Sequence, residues 1–112
     1  MEIQQNRIGN VEHLALIGDL DSFSVNPLRE RMNRLFDAGQ YNIIIDLTSV
    51  MFVDSAGLGQ LVSALKMAVH HGGDLILVKP NESVLDLLRI TKLDTIFRKF
   101  DSVEDALAVF PQ

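Results

Sequence analysis

The spacing of apolar residues divides the chain into short segments with distinct periods. Ile3 to Ile8 and Val11 to Ile17 read as two strands. Between them Gly9-Asn10 is a two-residue hairpin signal, because both residues tolerate the positive φ such turns demand. Asn26-Pro27 opens a helix, since proline suits a first turn whose N–H groups have no intrahelical partner. Leu28, Met32, Leu35 and Phe36 lie on one face of that helix, and Gly39 closes it. Tyr41 to Leu47 contains Ile43-Ile44-Ile45, an unalternated β-branched run typical of a strand covered on both sides. The most regular helix follows, with Leu58, Leu61, Val62, Leu65, Ala68 and Val69 in register and Gly72-Gly73 as its stop. Leu75 to Val78 reads as a short buried strand. Pro80-Asn81 precedes a helix carrying Val84, Leu87 and Leu88, and Ile96-Phe97 reads as a last short strand. Ser102 with Asp105 resembles a capping box before the stripe Val103, Ala106, Leu107 and Phe110. The expected order is β-β-α-β-α-β-α-β-α: an α/β fold with a mixed, mainly parallel sheet packed with helices.

Composition narrows the classes that remain. The 112 residues match the length of one domain, expected to run over 1–112. An apolar fraction of 47% excludes a disordered tail or a fibrous repeat. The absence of cysteine removes disulfides, thiol nucleophiles and cysteine zinc sites together. A net charge of −5 argues against nucleic acid or anionic lipid as the main partner, because phosphate binding needs a positive face. No run reaches the ~18 consecutive apolar residues of a membrane span. Met1 to Arg7 is polar and unlike a secretory signal, so a cytoplasmic protein is expected.

Candidate chemistry gathers between Ile43 and Leu65, where a buried strand runs into Asp54-Ser55-Ala56-Gly57-Leu58-Gly59 and then into a helix. Ser55 falls at or just before the helix N-terminus, where free N–H groups and the positive end of the dipole would accommodate a phosphate. Serine there is equally an ordinary N-cap, and the two roles are compatible. Loops after parallel strands collect on one rim, so Asp46 and Asp54 are expected beside Ser55, with Asp21 as a further member. The alternative for each carboxylate, and for Asp19, is a solvated cap or turn. Paired acids also hint at Mg²⁺, a weak signal without more converging oxygens, and no metal or cofactor is expected. Enzyme motifs fail on their parts. Val53 stands where a serine-hydrolase elbow needs glycine, Val62 where a dinucleotide fingerprint needs its third glycine, and a P-loop is absent. His70-His71 project about 100° apart on a helix, which disfavours joint metal ligation. They read as cations suited to a helix C-terminus, and His13 as a strand residue without an assigned role.

Ile44-Ile45-Asp46-Leu47 followed by Phe52-Val53-Asp54-Ser55-Ala56-Gly57-Leu58-Gly59 resembles the signature of anti-sigma factor antagonists of the STAS domain family. The likeness extends to Gly18-Asp19-Leu20-Asp21, Gly72-Gly73-Asp74-Leu75 and Leu87-Leu88-Arg89-Ile90-Thr91-Lys92-Leu93, and so over nearly the whole chain. The resemblance implies a non-enzyme whose Ser55 is phosphorylated by an anti-sigma factor that is itself a GHKL-type serine kinase. A PP2C-type phosphatase would restore the serine. Unphosphorylated, the protein would hold the anti-sigma factor and free the sigma factor for transcription. Asp21, Asp54, Ser55, Ala56, Gly57 and Leu58 are the implied partner-binding residues. Met51, Phe52 and Leu58 flank the serine, and any exposed member would be an anchor, although Phe52 and Leu58 are expected in the core. Thr48 and Ser49 stay open as second acceptors. The rival readings are a STAS scaffold subunit of a signalling or lipid-transport assembly, and a small nucleotide-binding protein.

Overall fold

The computed structural model describes residues 1–111. Its elements are β1 (Glu2–Ile8), β2 (Val11–Ile17), α1 (Val25–Asp37), β3 (Asn42–Ser49), α2 (Ser55–His70), β4 (Asp74–Val78), α3 (Glu82–Ile90), β5 (Arg98–Phe100) and α4 (Val103–Leu107). The strands lie side by side in the order β1-β2-β3-β4-β5. β1 and β2 form the expected hairpin, with Ile8 opposite Val11 across the turn. Every later pair is parallel. Helical crossovers join β2 to β3, β3 to β4 and β4 to β5, the connection that parallel neighbours require.

Alternation along β3 explains why its isoleucine run has no polar member. Ile43, Ile45 and Leu47 pack with Leu28 and Met32 of α1, Leu61 and Leu65 of α2, and Val84 and Leu88 of α3. Ile44 faces the other way, into a smaller cluster with Val11, Ile76, Val78, Ala106 and Phe110, next to α4. All three isoleucines are fully buried. The sheet thus carries three helices on one face and only the short α4 on the other.

Beyond shifts of one or two residues at the ends of β1, β3 and β4, two boundaries differ from expectation. α1 begins at Val25, ahead of Asn26-Pro27. Pro27 still occupies the first turn, so its missing N–H costs no bond. The last strand begins at Arg98, just after Phe97, and Arg98 pairs with Ile76. Phe97 is 2% exposed and belongs to the large core, while Ile96 closes a turn onto Leu93. Phe97 is apolar for a packing reason rather than for a place in the ladder, whereas Ile96 stays 42% exposed.

Candidate functional site

Three loops leave the C-terminal ends of β2, β3 and β4 and meet on one rim, as a parallel sheet dictates. Backbone bonds zip the first two together: Leu20 N–H donates to Phe52 O at 2.9 Å, and Asp54 N–H to Leu20 O at 3.2 Å. The third loop is tied in by Asn81, whose amide donates to Met51 O at 3.0 Å while its oxygen caps α3 by accepting from Val84 N at 2.9 Å.

Asp54 is the hub of the rim. It is the N-cap of α2, with one carboxylate oxygen accepting from Gly57 N at 2.9 Å. Its other oxygen accepts from Ser22 N at 3.1 Å, so one side chain links the start of α2 to the loop before α1. The Gly57 amide holds the Asp54 carboxyl below its ordinary range, with Ser22 assisting and desolvation opposing. Asp21 does parallel work in its own loop, accepting from Phe23 N at 2.9 Å and Ser24 N at 3.1 Å.

Ser55 is therefore not the cap. It is the first residue of α2, exposed, and its hydroxyl makes no hydrogen bond among the described residues. The cap role belongs to the preceding carboxylate, which leaves the serine oxygen accessible. Because Asp54 already occupies the Gly57 amide, a phosphate on Ser55 would share the helix terminus with a carboxylate rather than occupy it alone.

The other expected site residues separate by burial. Ala56 is half-buried, whereas Gly57 and Leu58 are buried, Leu58 at 5% exposure. A Cβ on Gly57 would overlap the Leu20 carbonyl oxygen and lie 2.7 Å from Leu20 Cγ. These two residues hold α2 against the Leu20 loop, and their side-chain positions face inward rather than toward a partner. Phe52 reverses its expectation: it is 47% exposed, and Met51 is 74% exposed.

Asp46 does not join the rim group. It follows Ile44 on the opposite face of β3, where its carboxylate meets His13 Nε2 at 3.0 Å and accepts from the Thr48 hydroxyl and amide. Desolvation works to raise the Asp46 pKa, but the Thr48 bonds and the His13 contact together outweigh it and hold the carboxyl low. The period of two along a strand separates Asp46 from Asp54, a separation that proximity in sequence conceals. His13 gains a partner here that its sequence context did not announce.

Phe23 was missed altogether. It is 97% exposed, one residue from the Ser22 amide that Asp54 holds. A large aromatic between two serines in a polar loop, outside any apolar period, was the available signal. With Met51 and Phe52 it gives the rim around Ser55 an apolar component.

His71 stacks on Tyr41 with ring centroids 4.3 Å apart, and the His70 and His71 planes lie 82° apart. Among the described residues no group of three His, Cys, Asp or Glu side chains is placed to hold a metal. No described helix is long and apolar enough to cross a membrane.

A hairpin-led parallel sheet with three helices on one face and a serine at the head of the second helix defines a class of small α/β modules. Residues 2–106 match the STAS domain family, and the chain belongs to it. It is 37% identical over 75 residues to a Thermotoga neapolitana protein, a candidate anti-sigma factor antagonist, spanning 67% of this chain and 66% of that relative. With the Bacillus subtilis anti-sigma-B factor antagonist it shares 33% identity over 96 residues, 86% of this chain and 85% of that one. The crystal structure of a candidate anti-sigma factor antagonist from Thermotoga maritima superposes with a TM-score of 0.92 at 26% identity, covering 98% and 95% of the two chains. The Bacillus cell fate determinant SpoIIAA in its phosphorylated form shares the fold, with a TM-score of 0.78 at 20% identity and 96% and 97% coverage.

Proposed function

We propose that this protein is an anti-sigma factor antagonist switched by phosphorylation of Ser55. Unphosphorylated, it binds an anti-sigma factor with GHKL-type serine kinase activity and frees the sigma factor in the cytoplasm. The same kinase modifies Ser55, and a PP2C-type phosphatase reverses the modification. The protein itself catalyses nothing and needs no cofactor.

One observation carries this reading: Ser55 heads α2 with an unengaged, exposed hydroxyl because Asp54 has taken the cap. A kinase needs that accessibility, and a structural capping serine would lack it. Asp21, Asp54 and Ala56 belong to the partner-facing rim on this reading, with Phe23, Met51 and Phe52 as its apolar anchors. Gly57 and Leu58 act from beneath, by fixing the angle at which α2 presents the serine.

The switch is local. A phosphate brings about −1.5 to −2 charge next to the Asp54 carboxylate, on a helix terminus already capped. A partner complementary to the unmodified rim then meets an uncompensated charge. A mismatch of about 3 kcal/mol is roughly a hundredfold in affinity. No refolding is required, and the fold shared with a phosphorylated STAS protein supports that economy.

The test is affinity capture from lysate of the source organism with wild type, Ser55→Ala and Ser55→Asp as baits. The expected outcome is a serine kinase retained by wild type and Ser55→Ala and lost by Ser55→Asp. Identical captures by all three would replace the switch with a scaffold role.

A further inference from the structure

α2 contains a glycine that the fold does not require. Of the seven glycines in the chain, Gly9, Gly18, Gly39 and Gly72 adopt positive φ. Gly57 and Gly73 press so closely on the carbonyl oxygens of Leu20 and Tyr41 that neither has room for a Cβ. Gly59 has neither reason. Its φ is not positive, and it lies exposed inside the helix Ser55–His70. A Cβ at Gly59 would meet no atom of the described residues within 4 Å beyond its own stretch of helix. Glycine is the poorest helix former after proline, so alanine at this position would make the free protein more stable. Gly59 weakens α2, and nothing inside the chain offsets the loss.

Its position shows what the gap serves. Gly59 stands four residues after Ser55, on the same face of α2 and about 6 Å further along the axis. Cα–Cβ bonds in a helix tilt toward the N-terminus, so a side chain at position 59 would cover the turn that carries Ser55. Any Cβ there narrows the approach to the Ser55 hydroxyl. Phe23, Met51 and Phe52 stand exposed on the same rim, so the bare backbone at Gly59 is a low step beside apolar projections. Such a step admits the main chain of another protein, which a methyl group would hold off.

We propose that Gly59 is a positioning residue for the modification of Ser55: its bare backbone seats a main-chain segment of the serine kinase against α2. The inference rests on the function proposed above and adds the residue that sets how closely the kinase approaches. Transfer of the γ-phosphoryl group from ATP to Ser55 Oγ, with ADP leaving and the hydroxyl proton released, is the kinase's chemistry. Gly59 supplies only the fit. The two glycines of the motif thus face opposite ways, Gly57 fitting α2 to its own fold and Gly59 fitting it to the partner.

The probe is the serine kinase retained from lysate by wild type and Ser55→Ala. It is titrated, before ATP is added, against Gly59→Ala, Gly59→Gln and Asn33→Ala, the last on the exposed face of α1. All three thermal midpoints should rise by about 2–6 °C, because each replacement is the better helix former. Kinase affinity should fall at least about tenfold in Gly59→Ala, by at least as much in Gly59→Gln, and stay unchanged in Asn33→Ala. Unchanged affinity in both Gly59 variants would overturn the proposal and leave the Ser55 switch standing. A lowered midpoint in Gly59→Ala would also overturn it, by giving the glycine a purpose inside the chain. So would intact affinity with slowed phosphorylation once ATP is added, which would mean that Gly59 lets α2 open rather than lets the kinase approach. Equal loss of affinity in Asn33→Ala would trace the effect to stability and overturn it likewise. Retention of no kinase by wild type would instead overturn the function proposed above, and the role of Gly59 with it.

Discussion

Around Ser55, the residues that build the site and those that present it are different residues, and single substitutions separate them. Gly57 packs so closely on Leu20 that even a methyl group overlaps a carbonyl oxygen. Gly57→Ala must shift backbone, and such overpacking costs about 1–3 kcal/mol. The expected result is a thermal midpoint lowered by roughly 4–8 °C per kcal/mol, read by circular dichroism. Ser55→Ala removes a hydroxyl without partners, so its melt should stay within about 0.5 kcal/mol of wild type. Phe23→Ala should also leave the melt unchanged, because a side chain 97% exposed supports no core. In binding to the anti-sigma factor partner proposed above, however, it should lose at least about tenfold if the exposed ring is an anchor, a cost usual for aromatic anchors. An unaltered affinity would remove Phe23 from the partner surface. The Asp54-Ser55 pair was legible in the sequence because helix starts have residue preferences. Which of the two would cap was not, since serine and aspartate suit the cap about equally well. Phe23 is harder to read for a different reason: a loop residue has no period, and its setting between two serines is the one sign of exposure.

Elements were read reliably wherever a period and a stop signal coincided. The hairpin at Gly9-Asn10 and the helix ending before Gly72-Gly73 both appear where the pattern places them. Errors arose where a residue was apolar for the sake of the core alone, as Phe97 is, or where capping came from further upstream, as for α1, whose start is built by Asp21 and Ser24. Asn81 shows how a cap can serve two elements. It caps α3 and also fastens the Met51 loop to the rim. Asn81→Ala should therefore cost about 1–2 kcal/mol, near the upper range for a cap, because a loop contact is lost with it. Asn81→Asp keeps the acceptor for Val84 N and loses the donor to Met51 O, so its melting temperature should fall between the other two. Equal melts for Asn81→Ala and Asn81→Asp would show that the loop tie, and not the cap, holds this corner.

At the scale of the molecule, the two faces of the sheet do different work. Three helices seal one face, and the short α4 leaves part of the other to a polar group built from His13, Asp46 and Thr48. That group joins β2 to β3 on the side away from Ser55, so the fold separates a carboxylate that stabilises from the carboxylate that shapes the rim. A prediction follows from the depressed Asp46 pKa. A carboxyl whose folded pKa lies below its ordinary value of 3.8 binds fewer protons when folded than when unfolded in that window. It contributes stability above 3.8 and loses it as pH falls through the lower folded value. Asp54 is shifted in the same direction, by the Gly57 amide first, and adds to the same acid limb. Urea unfolding as a function of pH should therefore show stability falling below about pH 4 in wild type. Asp46→Asn should be less stable at neutral pH, because it loses the charged partner of His13. Its decline below about pH 4 should also be shallower, since one of the two low carboxyls is gone. Parallel pH profiles for the two proteins would mean that the bonds Asp46 makes across β2 and β3 contribute equally in both protonation states, and the acid limb would then belong to the Asp54 cap.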